Sequence, residues 1–327
     1  MASKVTVIGT GNFGSTVAFI LAMRGSCHEV VLLGRNINVA KGKALDMSQA
    51  ANAAREHTVV RAANGPEDMK DSEIVVITAG APRTPGMSRD DLLTKNAQIV
   101  KTYALEIKKY APDAVVIVVS NPLDVMTYVA YKYTGFPRER ILGMAGILDA
   151  ARMAHFIYEK LGYGAGQIRA TVMGGHGDTM VPLPKFTTVA GVPIEDLFDS
   201  EEIGEIVKKT KNGGAQIVNL LGDGSAYYAP AKSTAVMVDA ILKDTKQIHS
   251  CAVYLKGEYG YDSIVSGVPA MIGAGGAEEI IEMTLKTLQR TRFKNSVESV
   301  QDMLDILYGN GFFDDLESKE MEKPDGK

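Results

Sequence analysis

Lys4-Val5-Thr6-Val7-Ile8-Gly9-Thr10-Gly11-Asn12-Phe13-Gly14-Ser15-Thr16-Val17-Ala18-Phe19-Ile20 decides how this chain folds. Val5–Ile8 is a short apolar run of the kind that forms a buried strand. Three glycines at the spacing GxGxxG follow, and a helical pattern then continues to about Arg24. Glycines in a strand–turn–helix setting permit a tight turn, close approach of a pyrophosphate and tight helix–strand packing, and the helix start offers free N–H groups to phosphate. The motif alone is a weak signal. Its place at the head of an alternating pattern makes Gly9, Gly11, Asn12, Phe13 and Gly14 candidate dinucleotide-binding residues.

Outward from that stretch the alternation continues. Glu29–Leu33, Val59–Ala62, Ile74–Ile77 and Ala114–Val119 read as strands, and Val39–Ala54 and Asp90–Lys109 as helices. Apolar strands with helices between them predict a parallel sheet covered on both faces, and right-handed crossovers make it doubly wound. After about residue 145 the rhythm changes. Helices are predicted at Ile147–Leu161, Gly213–Leu220, Ala229–Leu242 and Met283–Leu307, and strands at Ile168–Met173, Phe186–Val189, Ala252–Leu255 and Ile264–Ile272. The expected architecture is α/β: an N-terminal Rossmann doubly wound parallel sheet over residues 1–145, and a C-terminal mixed α+β substrate domain over 146–327. No Pro- or Ser-rich linker separates them, so they should pack closely. The charged end, 317–327, lacks apolar anchors and is expected to fray.

The 327 residues are 46% apolar and 23% charged, with a net charge of −4, which suits a globular protein with a sizeable core. No basic field advertises nucleic acid, and an anionic substrate must be drawn by local positive charge. Two distant cysteines, Cys27 and Cys251, suggest free thiols in a reducing compartment. No apolar run reaches the roughly 18 residues of a membrane span. Glycines interrupt the apolar N-terminus before a signal peptide could form. The expectation is a cytoplasmic protein with no membrane partner.

Several segments carry chemistry. The second strand should end in an acid for the ribose hydroxyls of NAD, but the chain reads Leu33-Gly34-Arg35. In one reading this removes repulsion against a 2′-phosphate and supplies a cation, so NADP is accepted. In the other, Arg35 lies flat on the adenine and NAD is used. Gly174-Gly175-His176-Gly177-Asp178 sets one histidine among flexible or polar neighbours, unlike His28, His57, His155 and His249. Oxidising an alcohol requires a group that removes the hydroxyl proton, and a histidine titrating near neutrality suits the task. Asp149 and Arg152 share a helix face, a spacing equally common in surface ion pairs. The loop Ala81-Pro82-Arg83-Thr84-Pro85-Gly86-Met87-Ser88-Arg89 carries two arginines, each able to fork onto a carboxylate, and could act as a lid. Ser120-Asn121-Pro122 follows the fifth strand, where ligands of such sheets bind.

Taken together and in this order, Gly9–Gly14, Arg83 with Arg89, Ser120-Asn121-Pro122, Asp149-x-x-Arg152 and Gly175-His176-Gly177-Asp178 resemble the lactate/malate dehydrogenase superfamily over roughly residues 4–310. The resemblance implies that His176 is the proton donor and acceptor, oriented by Asp149. It implies that Arg152 binds the substrate carboxylate beside the reacting carbon, that Arg89 polarises the carbonyl, and that Asn121 hydrogen-bonds near its oxygen. Asn96 and the backbone around Val119 would lie along the cofactor. Relatives acting on lactate typically carry glutamine where this chain has Arg83. A cation there suits a second carboxylate, which points to malate and oxaloacetate. Gly34 departs from the acid of NAD-using relatives, so NAD is the family default and NADP an open alternative. The resemblance further implies a homodimer or homotetramer and gives no role to Tyr227 or Tyr228. The rival readings are a lactate or other 2-hydroxyacid dehydrogenase, a non-redox NAD-dependent enzyme, and a nucleotide sensor. The second of these normally needs a metal site, and no His/Cys cluster at ligand spacing is present.

Overall fold

The computed structural model describes residues 3–81, 88–222 and 224–316. In the first half, strands and helices alternate: β1 (Lys4–Ile8), α1 (Asn12–Met23), β2 (Glu29–Leu33), α2 (Ile37–Ala53), β3 (Val59–Ala62), β4 (Ile74–Ile77), α3 (Arg89–Tyr110), β5 (Val115–Val118), α4 (Leu123–Thr134) and β6 (Ile141–Gly143). Every strand pair here is parallel, in the order β3-β2-β1-β4-β5-β6. The order reverses between β1 and β4, which opens a crevice at the carboxyl ends of these two strands. β4 is Ile-Val-Val-Ile with each side chain buried; each contributes roughly 1.5–3 kcal/mol on burial. The continuous apolar run follows from having helices on both faces. α3 starts sharply because Ser88 and Asp91 form a reciprocal capping box.

The second half runs α5 (Gly146–Leu161), β7 (Ile168–Arg169), β8 (Val172–Met173), β9 (Val181–Pro182), β10 (Thr188–Val189), β11 (Val192–Pro193), α6 (Ser200–Leu221), α7 (Tyr228–Leu242), β12 (Gln247–Lys256), β13 (Asp262–Gly273), β14 (Gly276–Ile280) and α8 (Thr287–Gly309). Its long strands join the first sheet. β12 pairs antiparallel with β6 at Ala252 and Gly143, and β13 and β14 continue outward, making a nine-stranded mixed sheet among the described residues. One large core therefore spans both halves, with a smaller cluster around Met153, Ile157 and Ile206. α4 lies within the large core, against α3, α8 and β12, and ten of its twelve residues are buried. No helix among the described residues is long and apolar enough to cross a membrane. Cys27 and Cys251 are both free and buried.

Some boundaries differ from expectation. Ile168–Met173 is two strands in separate sheets, parted where the Thr171 N–H donates to Thr187 Oγ1 at 3.2 Å. Within Phe186–Val189 only Thr188–Val189 is strand, since Phe186 closes a short 3-10 turn. The helix expected from Gly213 begins at Ser200, behind a capping box made by Asp199 and Glu202. The helix expected from Met283 begins at Thr287. The chain before it is drawn out as an edge strand, with Ile280 opposite Ala270 and the Ile281 N–H donating to Pro269 O at 2.8 Å. The tail 317–327 and residues 82–87, which include Arg83, lie outside the described residues.

Candidate active site

The site begins at the turn after β1. The Gly9 N–H donates to Leu33 O at 2.7 Å, tying the ends of β1 and β2 together. A Cβ on Gly9 would stand 2.4 Å from Thr78 Oγ1, and one on Gly14 would stand 2.0 Å from Gly9 O, so both glycines are demanded by packing. Gly11 is different. A Cβ there would meet nothing within 4 Å, and φ is an ordinary −71°. Its open face lies at the N-cap of α1, where no side chain caps the helix and no acid sits in the first turn. Free N–H groups beside an uncluttered surface fit a dinucleotide pyrophosphate.

Gly34 ends β2 against Thr10. A Cβ on Gly34 would lie 2.5 Å from Thr10 Oγ1 and 2.7 Å from its Cγ2. Both branches crowd the position, so a side chain at 34 requires Thr10 to shift. Arg35 is exposed. A cation that the sequence did not flag also stands here: Lys43, on α2, donates to Thr10 O at 2.7 Å and to Ser15 Oγ at 2.9 Å.

On the other side of the crevice, Asn96 of α3 is buried and clamps two loops. Its Oδ1 accepts the Ala81 N–H at 2.7 Å, and its Nδ2 donates to Asn121 O at 2.8 Å. Asn121 precedes a cis peptide to Pro122 and leaves its side chain exposed. Arg89 opens α3, exposed, and is not among the residues lining the cleft.

α5 and the β8–β9 turn supply the reacting groups. Asp149 is 1% exposed, so both carboxylate oxygens need partners. Oδ2 stands 3.0 Å from His176 Nδ1 and Oδ1 accepts from Arg152 at 3.2 Å. With Nδ1–H donating to a carboxylate, Nε2 is the nitrogen left for chemistry. Burial alone would push His176 down, but the charge and hydrogen bond of Asp149 outweigh it and the net shift is upward. α6 packs beside Arg152 at ordinary contact distance. Cβ atoms on Gly213 and Gly214 would lie 3.5 Å from its Cδ and 3.4 Å from one guanidinium nitrogen. Neither glycine was foreseen as part of the site.

The turn carrying His176 is pinned by its main chain. The Gly174 N–H donates to Gly267 O, the Gly175 N–H to Ser296 Oγ, and the His176 N–H to Asp124 Oδ2, each at 2.8 Å. Asp124 is 4% exposed, and burial pushes its carboxyl up to about 6 against the lowering effect of the His176 N–H. It sits in the first turn of a helix that otherwise reads as core, and nothing in that context marks it. Phe13, Asn96, Val119, Asn121, Arg152 and His176 line one cleft of about 430 Å³. Ser225 and Ala226 also line it, whereas Tyr227 and Tyr228 pack against each other, rings tilted by 46° with centroids 4.3 Å apart, and do not line it.

A glycine turn with an uncapped helix start behind it, beside a cleft lined by His176 and Arg152, can bind a dinucleotide, hold a carboxylate and move a proton. Comparison with known proteins agrees. Residues 3–143 match the lactate/malate dehydrogenase NAD binding domain and residues 147–306 match the lactate/malate dehydrogenase alpha/beta C-terminal domain. The chain belongs to the lactate/malate dehydrogenase family. It is similar to a malate dehydrogenase of Sulfurimonas denitrificans, 62% identical over 311 residues and covering 95% of this chain and 98% of the relative. Among solved structures it resembles malate dehydrogenase from Salinibacter ruber, with TM-score 0.90 and 46% identity over 94% of this chain and 99% of that one. It also resembles lactate dehydrogenase from Cryptosporidium parvum complexed with lactic acid and β-nicotinamide adenine dinucleotide, with TM-score 0.90 and 36% identity over 94% and 98% of the two chains. Fold likeness within the family thus does not separate the two substrates, and sequence likeness leans to the malate enzymes.

Proposed function

We propose that this chain interconverts malate and oxaloacetate with a nicotinamide dinucleotide, using His176 as the acid–base group. The observation that carries the reading is the buried Asp149 carboxylate, with His176 Nδ1 at 3.0 Å on one oxygen and Arg152 at 3.2 Å on the other, behind the cleft that His176 and Arg152 line with Asn96 and Phe13. Arg152 binds the carboxylate beside the reacting carbon, and Arg83 pairs with the second carboxylate that distinguishes malate from lactate. Neutral His176 takes the hydroxyl proton on Nε2 while its Nδ1–H stays on Asp149, and the Asp149 charge favours the imidazolium that forms. The nicotinamide, when bound, supplies the hydride acceptor. In the reverse direction His176 returns the proton, Arg89 is brought in to polarise the carbonyl oxygen, and Asn121 holds that oxygen in line.

Asn96 and the backbone around Val119 would lie along the cofactor, and Gly9, Gly11, Asn12, Phe13 and Gly14 would receive its pyrophosphate. NAD is the cofactor the family description names. NADP acceptance is part of this proposal, supported by the missing acid at Gly34 and the cation at Arg35. A division into a cofactor half ending near residue 145 and a substrate half after it, a homodimeric or homotetrameric state, and a reducing, cytoplasmic setting belong to the same reading. His176→Asn tests it: turnover of oxaloacetate should fall by roughly 100- to 10,000-fold, the usual worth of a positioned proton donor, with NADH binding retained. Turnover within a few-fold of the parent protein would remove His176 from the chemistry.

A further inference from the structure

A carboxylate is out of place on α4. Leu123, Val125, Met126 and Val129 around it are core residues, and a charge buried among them is costly unless it is well used. Asp124 Oδ2 accepts the His176 main-chain N–H at 2.8 Å, and a Cβ on Gly175 would stand 3.3 Å from the same oxygen. Oδ1 meets no donor among the described residues. One N–H does not call for a charge, because the neutral Ser296 hydroxyl does the same for the Gly175 N–H at the same distance. The charged groups that bear on Asp124 are His176 from the β8–β9 turn and Asp149 from α5, and Arg152, also on α5, bears on His176. Two carboxylates therefore hold His176, Asp149 by its ring and Asp124 by its main-chain N–H. α4 also starts directly after Asn121-Pro122, so the same helix turn links the loop beside the substrate to the turn that carries the base.

We propose that Asp124 is a positioning residue that holds the His176 turn by its main chain and lends a second negative charge to the imidazolium formed when the substrate alcohol loses its proton. This rests on His176 being the acid–base group. With its carboxyl pushed up by burial only to about 6, Asp124 is ionised at the neutral to alkaline pH where His176 acts as a base. Burial lowers His176, and Asp149 first and then Asp124 raise it. Removing the Asp124 charge therefore lowers the pH at which His176 becomes neutral.

The test is the pH profile of kcat/KM for malate oxidation in the parent protein, Asp124→Asn and Ser296→Ala. Asp124→Asn keeps an oxygen for the His176 N–H and loses the charge. Its acid limb should move to lower pH, with kcat reduced more than the KM for malate is raised. Ser296→Ala loosens the same turn without touching charge; kcat should fall and the acid limb should stay in place. An unmoved limb in Asp124→Asn, or an equal movement in both variants, overturns the proposal. Should Asp124→Asn fail to fold, the His176 ring nitrogens of the intact protein decide by NMR titration, assigned against His176→Asn. Two inflections, one its own and one felt from Asp124, are expected, and a single inflection overturns the proposal. An active His176→Asn would instead sink the underlying assignment of the base, whereas an inactive one with a static Asp124→Asn limb sinks only this inference.

Discussion

Asp149→Asn removes one charge from the middle of the site and leaves the volume almost unchanged. The parent carboxylate is 1% exposed and holds His176 and Arg152 at 3.0 and 3.2 Å, so the substitution acts on both at once. Breaking a fully buried pair costs about 3–5 kcal/mol. The Arg152 and His176 side chains keep 14% and 17% exposure toward the cleft, and water there screens part of the loss, so a stability cost of about 1–2 kcal/mol is expected. The effect on rate should be larger. An amide can offer either its oxygen or its NH2 to Nδ1, and the second choice places the ring proton on Nε2, where the base must be free. Loss of oriented proton transfer is worth roughly 100- to 10,000-fold in kcat, about 3–5 kcal/mol. The sign of the pH effect follows from the raised His176 value. Burial opposes the charge and Asp149 over-compensates, so without Asp149 the histidine loses its proton at lower pH. The acid limb of malate oxidation and the alkaline limb of oxaloacetate reduction should both move down. The assay is kcat/KM against pH in both directions, with urea melts for stability and NADH binding as a control. A rate loss under ten-fold with both limbs in place would refute this account of the pair.

Four further outcomes are expected. Gly34→Asp alone should bind either cofactor poorly, because the new Cβ would meet Thr10 at 2.5 Å. Thr10→Ala/Gly34→Asp should restore NADH use while depressing NADPH use, and initial rates with the two cofactors check this. Arg83→Gln should raise the ratio of pyruvate to oxaloacetate activity. Tyr133→Phe should destabilise the fold by about 1–3 kcal/mol in chemical denaturation, since it removes the hydroxyl that stands 2.6 Å from Phe312 O and 2.7 Å from Asp315 Oδ1 and can donate to one of them at a time, loosening the chain after α8.

The parallel half of the fold was readable because its strands are short, mostly apolar runs set between helical patterns; Glu29–Leu33, Val59–Ala62 and Ile74–Ile77 form strands at the bounds expected. The second half was harder. Its short strands of two residues, such as Val172–Met173, carry no period, and α6 opens with a charged stretch that masks the helix, although the Asp199–Glu202 capping box was there to be seen. That β12 would pair with β6 and merge two sheets is a long-range choice that no local pattern contains. The site shows the same division. His176 could be named from its flexible and polar surroundings, whereas Asp149 and Arg152, at a spacing common in surface ion pairs, took their roles from the family resemblance. Asp124, Lys43, Gly213, Gly214 and Ser296 matter through what the folded chain sets beside them, over separations as wide as the 121 residues between Gly175 and Ser296.

The most direct test is a set of initial rates for oxaloacetate and pyruvate reduction, each with NADH and with NADPH. Oxaloacetate should be strongly preferred over pyruvate with either cofactor, since Arg83 is the proposed partner of the second carboxylate. NADPH rates approaching those with NADH would support the 2′-phosphate reading of Gly34 and Arg35, and a ten-fold or larger advantage for NADH, about 1.4 kcal/mol, would make Arg35 a bystander. Pyruvate reduced faster than oxaloacetate with both cofactors would contradict the central claim and make this a lactate-type enzyme.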